Sequence, residues 1–283
     1  MVGVNEPHTP KALLLGAELR ELREQAGLNV RELAAALDVG QATVSRYERG
    51  ERTPSVDYVA RILGTLRVGG AKYDEVIDFA RNASEPNLIA GTKPGMHRHL
   101  LDLAEFERKA SRIVQVAPLM IPGTMQTREY AMAVMTGLPE EDRDLRVELR
   151  MARREVLAGP QIEVFLMERC VRDALCGPKA MAEQVRYLVE VADQSNVTVQ
   201  IIPADLHQYT LAHEGTFVLY DFPKANPIVQ LENYRGSAFL NDRKDVAAYR
   251  DAVATLADAA MSPDQSIELM AAIAEQLEGE SQR

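Results

Sequence analysis

Between residues 13 and 80 the apolar positions recur every three or four residues, in five short stretches separated by glycine, proline or asparagine. Leu15, Leu19 and Leu22 share one face of a helix predicted over residues 13–26, which Gly27 ends. Val30, Leu33, Ala34 and Leu37, then Val44 and Tyr47, mark two shorter helices divided by Asp38-Val39-Gly40, with Gly40 expected to supply the turn. Pro54-Ser55 opens a fourth helix over residues 55–66, whose Val59, Ile62, Leu63 and Leu66 would close over the pair. After Gly69-Gly70 a fifth carries Tyr73, Val76, Ile77 and Ala80. The pattern predicts an all-α, five-helix module over residues 11–83, preceded by a flexible leader at 1–10.

Residues 84–95, SEPNLIAGTKPG, have a linker's composition. The periodicity changes in the second half, residues 96–279. Residues 100–116 continue a helical spacing through Leu103, Phe106, Ala110, Ile113 and Val114, and residues 142–157 form another helix. Apolar runs at 162–166, 197–202, 216–222 and 228–233 read as strands, with a long helix at 179–194 and two closing helices at 242–260 and 263–277. Helices first, strands later and helices last predict an α+β domain with a mostly antiparallel sheet.

Two helices joined by a tight turn are the parts of a helix-turn-helix, in which the second helix enters the DNA major groove. Asn29 is placed to cap the first helix, with Glu32 three residues on to complete a capping box. The second helix buries Val44 and Tyr47 and presents Gln41, Ala42, Ser45 and Arg46 outward. Glutamine can make two hydrogen bonds to adenine and arginine two to guanine, so Gln41 and Arg46 have the chemistry of base readers. Arg49 and Arg52 follow in a glycine-containing turn where phosphates would pass.

These residues resemble the Xre/Cro/repressor-type helix-turn-helix regulators. The resemblance covers about residues 13–66, and VSRYERGERTPS follows the family's pattern closely. It implies base contacts from Gln41, Ala42, Ser45 and Arg46, phosphate contacts from Asn29, Thr43, Arg49 and Arg52, and a partly buried structural ion pair between Arg23 and Glu48. Val30 departs from the pattern, since many members carry a polar residue there.

FERKAS, IPGTMQTREYA, MARREVL, TFVLYDF and MSPDQSIELMAAIA, in this order between residues 96 and 277, are similar to the C-terminal domain of an actinobacterial group of antitoxin-like helix-turn-helix regulators. Met120 and Met125 stand where leucine is usual in that group. The resemblance implies regulation, often alongside a small partner protein encoded nearby.

Charge refines the picture. The chain carries 32 Lys+Arg against 42 Asp+Glu, net -10, but residues 1–83 are nearly neutral at 11 against 12. Phosphate neutralisation by one module should therefore be modest, and two copies on a two-fold symmetric duplex, a homodimer, are expected. No apolar run approaches a membrane span, and Cys170 and Cys176 do not form a disulfide framework, which suits the cytoplasm.

Arg143, Arg146, Arg150, Arg153 and Arg154 could make a second DNA contact, although interleaved Glu148 and Glu155 favour ion-paired faces. His97 and His99 near the linker, and His207 and His213 in the loop at 204–215, belong to no metal-binding motif. No P-loop, dinucleotide fingerprint or nucleophile elbow is visible. The expectation is a non-enzyme with no cofactor or metal, whose second domain dimerises and receives a small-molecule effector or a protein partner.

Overall fold

The computed structural model describes residues 10–81, 88–90, 96–233 and 236–281. All but the last residue of the expected leader, and most of the expected linker, lie outside the described residues. The chain divides into two compact units.

The first unit contains α1 (Pro10–Gln25), α2 (Val30–Ala36), α3 (Gln41–Glu48), α4 (Val56–Thr65) and α5 (Ala71–Arg81). One side chain set from all five helices makes its core, including Leu15, Leu19 and Leu22 of α1, Leu33 of α2, Val44 of α3, Val59, Ile62 and Leu63 of α4 and Val76 and Ile77 of α5. None of these helices is longer than 16 residues, so shared burial rather than intrinsic propensity holds them.

From residue 88 onward the chain builds a sheet and the helices around it, most of which form the second unit; residues 88–89, 223–228 and 238–241 fall in the first. In chain order the elements are β1 (Leu88–Ala90), α6 (Met96–Lys109), β2 (Arg112–Ala117), α7 (Arg128–Val134), α8 (Glu140–Ala152), β3 (Gln161–Met167), α9 (Arg169–Arg172), α10 (Pro178–Ala192), β4 (Val197–Ile202), β5 (Phe217–Asp221), β6 (Ile228–Asn233), β7 (Gly236–Leu240), α11 (Arg243–Ala259) and α12 (Pro263–Ser281). The sheet order is β1-β7-β6-β5-β2-β3-β4. A helical module followed by an α+β unit is the architecture that the apolar patterning predicts.

The sheet is mixed, with parallel pairs on one side of β2 and an antiparallel pair on the other. β2 runs parallel to β3 and β3 to β4, whereas β2 and β5 are antiparallel. The reason lies in the connections: α7 and α8 intervene between β2 and β3, and α10 between β3 and β4, as parallel neighbours require. One correction concerns residues 100–116. The helix stops at Lys109, and 112–117 form the strand β2 with Ile113, Val114 and Val116 buried. β-branched residues on both faces suit a strand covered on both sides, and their spacing from Phe106 mimics a helix only by coincidence.

Buried polar side chains fasten helices to the sheet edge and turns to helices. Ser266 of α12 accepts a hydrogen bond from Ile201 N at 2.9 Å and donates to Ser262 O at 2.8 Å. Gln184 of α10, fully buried, accepts from Thr127 N at 2.6 Å and donates to Met125 O at 2.8 Å, fixing the turn that precedes α7.

Candidate nucleic-acid interface

Asn29 Oδ1 accepts from Glu32 N at 3.0 Å, and Glu32 Oε2 accepts from Asn29 N at 2.7 Å, so α2 begins with a complete capping box. At its other end Asp38, not Gly40, takes the left-handed conformation, with φ 53°. Gly40 is extended, at φ -71° and ψ 143°, and a Cβ there would meet nothing within 4 Å. This corrects the sequence assignment of the turn. Asp38 N bonds Ala35 O and Val39 N bonds Ala34 O, at 3.2 and 3.0 Å, a Schellman motif whose left-handed position aspartate tolerates better than most side chains. Arg61 of α4 donates to Leu37 O at 2.7 Å, satisfying another carbonyl at that end.

α3 then presents two contrasting sides. Val44 and Tyr47 are buried; Gln41, Ala42 and Arg46 are exposed, and Thr43 and Ser45 are half-buried. Arg49 and Arg52 are exposed as well. Arg49 is held by Glu51 at 2.6 and 2.9 Å, and that hydrogen bonding raises its pKa. The Arg52 guanidinium lies 5.8 Å from the centre of the Tyr47 ring, which itself packs 5.2 Å from Tyr58.

Two glycines set how closely α1 and α3 approach. A Cβ on Gly16 would lie 2.4 Å from Tyr47 O and 2.8 Å from Glu48 O, and one on Gly50 would lie 2.7 Å from the α-carbon of Leu13. Gly50 is also left-handed, at φ 67°, and closes α3 through Gly50 N to Tyr47 O and Glu51 N to Arg46 O, at 3.0 and 2.9 Å. Sequence reasoning passed over Gly16. Its signal was a glycine inside a leucine-rich helix, a position that costs stability unless something must come close.

Arg23 and Glu48 tie the same two helices together. Nε and Nη2 of Arg23 donate to the two oxygens of Glu48 at 2.7 and 3.0 Å, and Nη1 donates to Leu28 O at 2.8 Å. Both side chains are only 8% exposed. Hydrogen bonding to Glu48 raises the Arg23 pKa.

In the second unit, His207 and His213 are exposed, and His213 Nδ1 lies 3.1 Å from Thr210 N. His97 and His99 lie on α6, and their side chains are outside the described residues. Among the described residues no three His, Cys, Asp or Glu side chains come together as metal ligands. Cys170 is buried, which pushes its thiol up to about 12, and Cys176 is half-buried. No helix among the described residues is long and apolar enough to cross a membrane.

The arginines after residue 142 behave unequally. Arg153 pairs with Glu107 at 2.9 and 2.5 Å, Arg154 donates to Tyr187 Oη at 2.8 Å, and Glu148 pairs instead with Arg128 at 2.6 and 2.9 Å. Arg146 and Arg150 pair with no carboxylate among the described residues.

A family model described as a helix-turn-helix domain matches residues 14–76, and one described as Domain of unknown function (DUF5753) matches residues 100–272, more than half of the chain. The chain is 27% identical over 190 residues to a protein of Thermococcus kodakarensis, covering 63% of this chain and 57% of that one. It is 47% identical over 126 residues to one of Pyrococcus furiosus, covering 44% and 39%, and 24% identical over 179 residues to one of Pyrococcus horikoshii, covering 60% and 55%. All three carry the provisional description of HTH-type transcriptional regulatory protein. The chain spans about half the length or less of these relatives. No solved structure matches it.

Proposed function

Since this chain belongs to the DUF5753 family and joins that domain to a helix-turn-helix, we propose that it is a sequence-specific DNA-binding regulator of transcription. The exposed Gln41, Ala42 and Arg46, on a helix whose other side is sealed by Val44 and Tyr47, carry the reading. Gln41 and Arg46 read bases by bidentate hydrogen bonds, with Ala42 and Ser45 beside them. Asn29, Thr43, Arg49 and Arg52 hold phosphates; Asn29 keeps its amide NH2 for this while its oxygen caps α2. The Arg23–Glu48 pair is structural. Two copies bind a two-fold symmetric site as a homodimer in the cytoplasm, and the domain at 96–279 dimerises and receives a signal.

The experiment is selection of a duplex from a random pool, followed by titration with Arg46→Ala and Arg49→Ala. Arg46→Ala should relax base preference at one position of each half-site. Arg49→Ala should weaken all sequences alike and lower the salt slope by about one. An unchanged affinity of Arg46→Ala for the selected site would remove the base-reading role.

A second reading makes the chain antitoxin-like, holding a small protein encoded nearby, as the similarity to the actinobacterial group implies. Leu119 and Met120, 58% and 50% exposed, favour an apolar contact there. Co-purification of the neighbouring gene's product with the wild type, but not with Leu119→Ser/Met120→Ser, tests it.

A further inference from the structure

Arg143, Arg146, Arg150 and Arg153 fall at i, i+3, i+7 and i+10, continuing one face of α8 past its last turn. Like charges at these spacings repel. Arg153 is answered by Glu107, and Arg143 has Asp144 at 3.6 Å and Glu140 at 3.9 Å. Arg146 makes no hydrogen bond or ion pair with any described residue, yet its Nε is inaccessible to solvent.

Arg150 has a single neutral partner, donating from Nη1 to Gln126 Oε1 at 2.9 Å, and its Nε is likewise buried without a bond. Gln126 is fixed by its own bond to Ile121 O at 2.7 Å, so its oxygen is committed to facing Arg150. Gly123 brings backbone against the same guanidinium: a Cβ there would sit 3.2 Å from Arg150 Nε. Glu232 is close enough to attract Arg150 but forms no ion pair with it. Burial, reinforced by the charge of Arg153, pulls Arg150 down to about 10, so it remains a cation at neutral pH. Both Arg146 and Arg150 keep part of their surface accessible.

A guanidinium withdrawn from water without a counter-charge is costly, and its planar fork matches an oxyanion better than any other ligand. We propose that Arg146 and Arg150, closed by the turn Gly123–Met125 and Gln126, form a binding site for an oxyanion, the phosphate or carboxylate group of a small molecule. The depth of the two Nε atoms suits a small molecule rather than a duplex backbone. Binding at this site stands independently of the DNA reading; that it is where the signal enters rests on that reading.

The test is thermal unfolding of the full chain titrated with inorganic phosphate, and separately with citrate, against sodium chloride at matched ionic strength. The wild type should show saturable stabilisation by at least one probe, and the stronger probe identifies the group recognised. Arg146→Gln, which has no bond to lose, should weaken that binding about tenfold or more. Arg150→Met should abolish it. No saturable effect in the wild type, or equal stabilisation of the wild type and Arg146→Gln, overturns the site. So does saturable stabilisation of Arg150→Met equal to that of the wild type.

Discussion

Removing one member of the Arg23–Glu48 pair should destabilise the helical unit far more than removing both. In Glu48→Ala the Arg23 guanidinium keeps its bond to Leu28 O and a long one, 3.5 Å, to the solvent-exposed Glu24, and loses two charge-assisted bonds, at 2.7 and 3.0 Å. Each is worth about 1.5–3 kcal/mol, and the cation stays in a place only 8% exposed, so the expected cost is about 3–5 kcal/mol. For a unit of this size that corresponds to a melting-temperature drop of roughly 12 °C or more. Arg23→Met/Glu48→Leu leaves no charge behind and should recover to within about 1–2 kcal/mol of the wild type. Hydrogen exchange on the full chain, followed in peptides spanning α1 to α3, reads this unit without interference from the other. A Glu48→Ala variant whose α3 amides lose less than about 1 kcal/mol of protection would refute the argument, as would a double variant as damaged as the single one.

Gly16→Ala should be destabilising although alanine favours helices by about 1 kcal/mol, because overpacking against the Tyr47 and Glu48 carbonyls costs roughly 1–3 kcal/mol or more; a higher melting temperature would show that α1 and α3 separate freely. Glu51→Gln should release Arg49 and tighten binding to random-sequence duplex, with the slope of log affinity against log salt steeper by about one, as measured by fluorescence anisotropy. Burial raises the Glu168 carboxyl, but bonds from Ala204 N at 2.9 Å and from Arg172 outweigh it and leave its pKa below 4.5. Its stabilising contribution is therefore complete above about pH 4.5 and is lost as the pH falls below that value. Glu168→Gln should flatten the acid limb of a pH–stability curve over that range, and an unaltered limb would rule out the linkage.

Local signals made the first unit readable. Asn29 and Glu32 announce a helix start within four residues, and Val44 and Tyr47 mark the buried side of α3 at one-turn spacing. Asp38 was misread because two residues near a turn can each supply the left-handed conformation, and only the bonds to Ala34 O and Ala35 O choose between them. β2 was hidden because Phe106, Ala110 and Ile113 are spaced as on a helix, while its burial on both faces depends on strands about 50 and 110 residues away. The unequal fates of the α8 arginines were equally beyond local reading. Glu107 and Gln126, which separate Arg153 from Arg150, reach them only through tertiary packing.

The placement of β2 in the interior of the sheet also bears on how the chain is made. Its parallel neighbour begins at Gln161, but its antiparallel neighbour begins only at Phe217, about 56 residues later, roughly 3–11 s at ordinary rates of synthesis. The five-helix unit, built from near neighbours, can fold meanwhile. For that interval β2 presents an open, apolar edge that the finished sheet covers, and this is when the protein is most exposed to mispairing with another copy of itself.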